Sequence, residues 1–403
     1  MPDWLERAAL LRPEATALEL ADTKLSYRDL LARARRRRPD VEPGERVPLE
    51  QADRVQFAEA LHGCLLAGGA AVPIDPRLSA EEQQRRRVPG RAQTPGTVAL
   101  MHTSGTTSAP KPVELTAANV FANAAGSAFA LGLDPDERWL AVMPLAHVGG
   151  LMILMRSAIY ATTVVAHQGY ETESVLRELM DPSRKITLIS VVPTMLSRLL
   201  DAGLADPPTL RWALLGGGPI PPGLLTRAEA CGVPVAPTYG MTEACSQIAT
   251  LGRPLHGVEL KIAPDGELAV RGSVVAPGAL GPDGWLSTGD LARLDEAGRL
   301  QIIGRKSDTI VSGGENIAPS EVEAVLEQHP AVAEAGVFGR PDSEWGEALA
   351  AKVVLREGQR VEPAELQAFC RVHLARFKTP RHVAIVAELP RTPSGKLLRR
   401  QLM

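Results

Sequence analysis

Cysteine is scarce in this chain of 403 residues, which contains only four. The four are widely separated and form neither a C-x-x-C pair nor a Cys/His spacing typical of metal ligands. The pattern therefore argues against a zinc site and against a disulfide framework, and we expect reduced thiols. These cysteines are Cys64, Cys231, Cys245 and Cys370.

The chain also lacks an excess of one charge and any long apolar run. Its 44 basic and 47 acidic residues give a formal net charge of -3, which provides no electrostatic reason to expect nucleic acid as a partner. No segment reaches about 18 uninterrupted apolar residues, and the N-terminus has no basic region followed by an apolar run. We therefore expect a cytoplasmic protein that binds neither membrane nor nucleic acid.

The length exceeds what one hydrophobic core supports, so two domains are expected. From Trp139 onward, short apolar strands alternate with helical patterns, which predicts an α/β domain of layered, mostly parallel sheets covered by helices. After Arg305 the pattern changes to a compact α+β unit, a small C-terminal lid domain. We expect an N-terminal domain at 1–304, a hinge at 305–307 and a mobile domain at 308–403. The strands are predicted at 139–143, 162–166, 186–192, 211–215 and 233–236, and the helices at 151–160, 171–180, 194–202 and 223–230.

A loop rich in hydroxyl groups follows an apolar strand at Met101 and ends at Lys111. Small residues let backbone N–H groups approach phosphate oxygens, while Ser104, Thr106 and Thr107 add donors and Lys111 adds charge. The loop is not a G-x-x-x-x-G-K-[ST] motif, since it lacks the second Gly before the Lys. Alone it indicates either a polyphosphate-binding loop or a polar turn.

Four further motifs follow in order: 238–243, 285–290, 304–317 and 391–399. Together with the first loop they resemble the acyl-adenylate-forming family of acyl-CoA synthetases, carrier-loading adenylation domains and beetle luciferases, over nearly the whole chain. The resemblance implies a two-step reaction that uses ATP, Mg²⁺ and coenzyme A. A carboxylate first attacks the α-phosphate of ATP to give an acyl-AMP and pyrophosphate, and a thiol then displaces AMP.

The resemblance also assigns roles to nucleotide-binding residues. Asp290 would accept from the ribose hydroxyls with Arg305 as a second contact, although a turn residue and a surface charge are the alternatives. Thr242 would donate to the α-phosphate and Glu243 would hold Mg²⁺; the alternative is an ordinary helix N-terminus with a cap and a first-turn acid. The backbone of the glycine run would lie against adenine unless it is only a tight turn. The phosphate loop would comprise Thr103, Ser104, Gly105, Thr106, Thr107 and Lys111, and the adenine site Gly216, Gly217, Gly218, Tyr239, Gly240 and Met241.

Two predicted elements belong to the C-terminal domain. Lys396, in a Ser-Gly-Lys turn where an isolated Lys is usually solvated, would stabilise charge during adenylation. Gly313 and Gly314 would leave room for the pantetheine arm after the domain rotates. Ser307 stands where the family often has Asp or Lys, and Ser108 stands where Gly is usual.

Segments 143–160, 214–219 and 239–247 look most like 2-succinylbenzoate-CoA ligases of menaquinone biosynthesis. That substrate has two carboxylates, and the one that is not activated needs a partner. Arg156 would bind it, the alternative being an Arg with its head in water. His147 would gate the thiol tunnel or contact the carboxylate, the alternative being a satisfied core His. Another aryl- or acyl-CoA ligase, a carrier-protein-loading enzyme and an inactive nucleotide-binding protein stay open, as does a homo-oligomer.

Overall fold

The computed structural model describes residues 4–103, 111–221, 223–343, 345–391 and 397–403. The helices are α1 Trp4–Leu11, α2 Tyr27–Arg36, α3 Arg54–Ala67, α4 Ala80–Arg86, α5 Ala117–Leu131, α6 Val148–Tyr160, α7 Thr172–Met180, α8 Pro193–Asp201, α9 Leu224–Ala230, α10 Pro319–Leu326 and α11 Pro363–His373. The strands are β1 Thr16–Leu20, β2 Thr23–Ser26, β3 Arg46–Leu49, β4 Ala70–Pro73, β5 Thr97–His102, β6 Pro112–Thr116, β7 Arg138–Ala141, β8 Thr163–Ala166, β9 Leu188–Val191, β10 Trp212–Leu215, β11 Val235–Met241, β12 Ser246–Thr250, β13 Arg253–Pro254, β14 Val258–Ile262, β15 Glu267–Gly272, β16 Leu286–Leu294, β17 Leu300–Arg305, β18 Ile310–Ser312, β19 Glu315–Ile317, β20 Val332–Asp342, β21 Gly346–Leu355 and β22 His382–Ile385.

The chain forms two compact units. The first comprises Met1–Gly217, Ala228–Leu260 and Val270–Leu286. The second comprises Gly218–Arg227, Lys261–Ala269 and Ser287–Met403. The second unit thus begins before the predicted boundary at residue 304, and the hinge at 305–307 stays a prediction.

A nine-stranded sheet in the order β13-β12-β11-β10-β9-β7-β8-β1-β2 forms the centre of the first unit. The six strands from β11 to β1 in that order are parallel, whereas β2, β12 and β13 pair antiparallel at the two edges. The central strands are apolar and buried, as expected where helices cover both faces of a parallel sheet. The predicted α/β class with mostly parallel strands is confirmed. Every carboxyl end of the parallel strands lies at the same edge, where such sheets bind ligands.

A separate four-stranded sheet of the first unit has the order β3-β4-β5-β6. Strands β3, β4 and β5 are parallel, and β6 returns antiparallel to β5, with His102 opposite Pro112. The predicted phosphate loop connects β5 to β6. It therefore begins from a different sheet than the other predicted nucleotide-binding residues of this unit.

The second unit ends in an α+β module. Its five-stranded sheet has the order β19-β18-β21-β20, with β22 parallel to β21. Helices α10 and α11 supply Val322, Leu326 and Leu366 to a core that includes Val337 and Val353 of the sheet. This arrangement confirms the expected small α+β fold. Another sheet of the chain has four strands in the order β14-β15-β16-β17.

Among the described residues, none of the helices has the length and apolar character needed to cross a membrane.

Candidate active site

Three predicted site segments lie at the carboxyl edge of the nine-stranded sheet. His147 follows β7 and is the N-cap of α6, Gly216 follows β10, and Tyr239 lies in the last half of β11. The sequence predicted a strand ending at residue 236, whereas β11 continues to Met241. The extension exists because β12 pairs with it, Tyr239 opposite Ala249.

The glycines of this edge have different structural reasons. A Cβ on Gly216 would lie 2.8 Å from the carbonyl oxygen of Thr238, and Gly217 has a φ of +81°, which favours glycine. A Cβ on Gly218 would meet no heavy atom of the described residues within 4 Å. The first two glycines are therefore needed by the chain itself. Packing gives no such reason at Gly218. The prediction that the backbone of this residue lies against adenine therefore stays a prediction.

Thr242 and Glu243 begin a single 3₁₀ turn, Thr242–Ala244, and not a helix. The chain reverses at Cys245, with a φ of +55°, and returns as β12. The alternative, a helix N-terminus with a cap and a first-turn acid, is present only as one 3₁₀ turn that begins at Thr242 and has no side-chain cap hydrogen bond. The dipole of one such turn is small compared with that of an α-helix. The reversal is tight at Gly240, where a Cβ would lie 1.6 Å from the carbonyl oxygen of Ser246.

The residues present suit a magnesium ion carried by nucleotide phosphates. In the described part of the chain, His, Cys, Asp and Glu side chains form no group of three that could hold a metal by themselves. Mg²⁺ is usually bound through one or two carboxylates together with phosphate oxygens and water. Glu243 is a half-buried carboxylate next to the hydroxyl of Thr242, and this donor set fits that mode of binding.

Arg156 is a buried cation directly behind this turn. Its residue is 1% exposed, so its head does not lie in water, and burial lowers the pKa of the guanidinium. Nη2 donates to Oδ1 of Asn123 over 2.5 Å, and the guanidinium carbon lies 5.6 Å from the ring centroid of Trp139. Among the described residues, the ionisable groups that act on Arg156 are Tyr160 and Cys245, and no carboxylate pairs with it. A cation buried against neutral groups is costly unless an anion compensates it.

Sequence reasoning missed Asn123, the residue that joins Arg156 to the turn. Asn123 is fully buried on α5, and its Nδ2 donates to the carbonyl of Gln247 over 2.8 Å and to that of Ala244 over 3.4 Å. It thus connects α5, α6 and the segment after Glu243. An Asn within a helical pattern gives no signal of this role, because the contact depends on tertiary packing.

The described ends of the predicted phosphate loop are hydrogen-bonded to each other. The backbone N–H of Thr103 donates to the carbonyl of Lys111 over 3.0 Å, and the N–H of Lys111 faces Oγ1 of Thr103 at 3.3 Å. The other predicted residues of the loop, Ser104, Gly105, Thr106 and Thr107, lie outside the described residues, as does Ser108. The closed ends extend the β5–β6 hairpin toward the loop.

Asp290 and Arg305, both in the second unit, face each other across β16 and β17. Nε of Arg305 lies 2.9 Å from Oδ1 of Asp290, and Nη1 donates to the carbonyl of Thr288 over 3.1 Å. Asp290 is buried and Arg305 is half-exposed. The two residues predicted to contact the ribose therefore form one ion pair with each other. What else Asp290 and Arg305 bind depends on their hydrogen-bonding atoms outside this pair.

Gly313 and Gly314 form the two-residue turn between β18 and β19. Both have positive φ, +60° and +86°, as such hairpin turns require. A Cβ on Gly313 would lie 2.6 Å from the ring of Trp345, whose carbonyl accepts from the N–H of Gly313 over 2.9 Å. These glycines are thus required by the turn and its packing. Lys396 lies outside the described residues.

Comparison with known proteins defines the class. The chain matches the AMP-binding enzyme family over residues 5–87 and 82–280, and the AMP-binding enzyme C-terminal domain over residues 321–396. The chain belongs to the AMP-binding enzyme family. This confirms the resemblance to acyl-adenylate-forming enzymes.

Relatives of known activity span the whole chain. The 2-succinylbenzoate--CoA ligases of Bacillus subtilis (strain 168) and Bacillus pumilus (strain SAFR-032) are 36% and 37% identical, over 100% of this chain and 97% of each relative. The structure of o-succinylbenzoate CoA synthetase from Bacillus subtilis with the acyl-adenylate intermediate OSB-AMP is 36% identical, with a TM-score of 0.90, covering 100% of this chain and 98% of that one. MatB from Rhodopseudomonas palustris, 23% identical with a TM-score of 0.89 over 100% of this chain and 98% of its own, shares the fold.

Proposed function

We propose that this protein is an ATP-dependent acid–CoA ligase that converts 2-succinylbenzoate to 2-succinylbenzoyl-CoA through an acyl-AMP, a step of menaquinone biosynthesis. The observation that carries the proposal is the relationship to ligases of this activity, at 36% identity over 100% of this chain and 97% of the Bacillus subtilis relative. Solved structures of the Bacillus subtilis relative contain ATP with magnesium and the acyl-adenylate. The substrates here are therefore ATP, a carboxylic acid and coenzyme A, with Mg²⁺ as cofactor.

The first half-reaction joins the acid to AMP. A carboxylate oxygen forms a bond to the α-phosphorus, and the bond from that phosphorus to the bridging oxygen breaks, releasing pyrophosphate. Thr242 donates to the α-phosphate, Glu243 binds Mg²⁺, and Lys396 stabilises the charge that moves between carboxylate and phosphate. Bound Mg²⁺ neutralises phosphate charge.

The second half-reaction transfers the acyl group to sulfur. The CoA thiolate attacks the acyl carbon, the bond from that carbon to the phosphate oxygen breaks, and AMP leaves. We assign to Gly313 and Gly314 the role of leaving room for the pantetheine arm, and to His147 the role of gating the thiol tunnel or contacting the carboxylate.

Arg156 binds the carboxylate that is not activated. The support is its burial behind the 242–247 segment and its lack of a described carboxylate partner, since a guanidinium held by neutral groups gains from an anion.

Pyrophosphate exchange and CoA-dependent AMP release across aromatic, dicarboxylic and fatty acids test the function. We expect 2-succinylbenzoate to give the highest kcat/KM. A preference for another acid would replace the substrate, acceptance of a carrier protein instead of CoA would indicate a loading enzyme, and absence of exchange with every acid would indicate an inactive nucleotide-binding protein.

The Arg156→Met variant tests the substrate contact. We expect its KM for 2-succinylbenzoate to rise on the order of a hundredfold, with little change in KM for ATP or for a monocarboxylic analogue. Arg54→Met is the matched control, because Arg54 is also buried but donates to the carbonyls of Ala141 and Val142. Unchanged selectivity among acids in Arg156→Met would contradict the assignment.

The Lys396→Ala variant tests the division of the two half-reactions. We expect acyl-AMP formation to fall at least about a hundredfold, while thioester formation from supplied acyl-AMP is retained. Equal loss of both would refute the role of Lys396.

A further inference from the structure

Arg399 lies three residues after Lys396 and anchors the C-terminal segment to the second unit. Its side chain is 19% exposed and its planar fork contacts three groups. Nη1 and Nη2 pair with the two carboxylate oxygens of Glu323 on α10, and Nη1 also donates to the carbonyl of Val337 on β20. Burial lowers the pKa of this guanidinium, but the two neighbouring carboxylates raise the pKa by more than burial lowers it, so the net shift is upward. The cation is therefore fully charged and held by opposite charge.

The remaining donor of this fork reaches the predicted hinge. Nε of Arg399 lies 3.3 Å from Oδ2 of Asp308, the residue immediately after the hinge at 305–307. Glu323 is itself fixed, because its Oε1 accepts from the N–H of Val337 over 2.7 Å. Asp308, Glu323 and Arg399, which we name the tail anchor, thus join the end of the hinge, α10 and the C-terminal segment through side chains alone.

The residues on both sides of 392–396 are held to each other by backbone contacts. Arg391 and Leu397 form an antiparallel bridge, and the N–H of Leu398 donates to the carbonyl of Pro390 over 2.8 Å. Leu402 is buried against Phe338 and Leu389. The two ends of the lysine-bearing segment therefore share one base, and the tail anchor fixes that base to Asp308.

We propose that Arg399 is a positioning residue for adenylation, which fixes the base of the Lys396 segment to the first residue beyond the hinge so that the two move as one body. The inference rests on the proposed function for its consequence in catalysis. A lysine that must reach a reacting phosphate loses rate when its base is loosened, because misplacement by about 1 Å can cost on the order of a hundredfold. The planar guanidinium of Arg399 contacts three groups at once and so can hold this base in place, whereas the ammonium of a lysine would offer only one point of charge.

Asp308→Asn is the primary variant, because it weakens only the contact to the hinge and leaves the Glu323 pair in place. We expect the kcat of pyrophosphate exchange to fall about tenfold, with KM for ATP and thioester formation from supplied acyl-AMP within about twofold of the unchanged protein. Asp308→Glu, which restores the anion, should recover most of the rate. Arg400→Ala, which removes an exposed arginine one residue away, is the matched control and should leave both half-reactions unchanged.

Hydrogen exchange on the protein without substrates separates this inference from the proposed function. We expect Asp308→Asn and Arg399→Lys to exchange the Leu398 amide about tenfold faster, with the β20 and β21 amides unchanged. Retained protection at Leu398 in both variants, equal loss of both half-reactions, or a change confined to KM for ATP would each overturn the role of Arg399. If the unchanged protein shows no exchange of pyrophosphate with any acid, the proposed function fails, while the hydrogen-exchange result still decides whether the anchor exists.

Discussion

Glu327 provides a prediction about stability that depends on pH. It is the C-cap of α10, and its Oε1 accepts from the N–H of Ala335 over 3.2 Å. Burial, together with the charges of Glu323 and Glu334, raises the pKa of this carboxyl to about 7 from an ordinary 4.5. A negative charge at a helix C-terminus is also unfavourable, because the helix dipole has its negative end there. The folded protein therefore keeps the Glu327 proton at a pH where the unfolded chain has lost it.

The sign and size of the pH dependence follow from the difference between the pKa of Glu327 in the folded protein and its pKa in the unfolded chain. The stability contributed by the protonated carboxyl is complete below pH 4.5 and is lost as the pH rises through about 7. Since one pKa unit corresponds to about 1.4 kcal/mol, the free energy of unfolding of this region should fall by about 3 kcal/mol across the window. The Glu327→Gln variant keeps a hydrogen-bond acceptor for Ala335 and has no proton to lose, so it should remove this dependence.

Hydrogen exchange of the β20 amides between pH 5 and pH 8, corrected for the intrinsic rates, measures this free energy directly. The variant should be more stable than the unchanged protein at pH 8 and similar at pH 5. Glu357→Gln makes the same chemical change at an exposed position and serves as the control. A protein whose β20 protection is constant over this range, or a Glu327→Gln variant with the unchanged pH dependence, would refute the reasoning.

Three further predictions concern His102, the glycines Gly240 and Gly218, and Glu243. His102 is buried, and both its ring nitrogens lack a partner among the described residues. Burial lowers its pKa to about 4, so the stability that it contributes is lost as the pH falls from 6.5 through 4. His102→Phe should reduce that loss, measured by urea unfolding at pH 4.5 and 7.5. Gly240→Ala should lower the free energy of unfolding by more than about 2 kcal/mol because of the contact with Ser246, whereas Gly218→Ala should leave it within about 0.5 kcal/mol, and equal effects would contradict this. Glu243→Gln should raise the Mg²⁺ concentration that gives half-maximal pyrophosphate exchange about tenfold, and an unchanged requirement would remove Glu243 as a ligand.

The alternation of apolar strands and helices after Trp139 was sufficient to predict most central elements. Observed β8, β9 and β10 fall within the predicted strands, and β7 begins one residue before its predicted strand. Helices α6, α7 and α8 agree with the predicted helices to within a few residues. Periodicity reports burial on both faces, and a parallel sheet between helices has that pattern. The extension of β11 to Met241 was missed, because pairing with β12 is a long-range contact that the local pattern of 237–241 does not contain.

Motif order predicted that Asp290 and Arg305 act together, and the structure pairs them across two strands. The groups that surround the Arg156 guanidinium could not be predicted from the sequence. An Arg inside an apolar helix is compatible with a guanidinium in water or with one in the core. The choice depended on Asn123 and Trp139, which lie on other elements. Residues that act through tertiary contacts, including Asp308 and Glu323, carry no local signal.

Lys306 lies in the middle of the predicted hinge, with its Nζ 2.7 Å from a carboxylate oxygen of Asp265 and 2.7 Å from one of Glu267. All three side chains are open to solvent to some degree, so dissolved ions screen these attractions readily. We expect a rotation about the predicted hinge at 305–307 to exchange the two contacts for water. We therefore predict that ionic strength shifts the equilibrium between the two domain orientations that the proposed reaction requires.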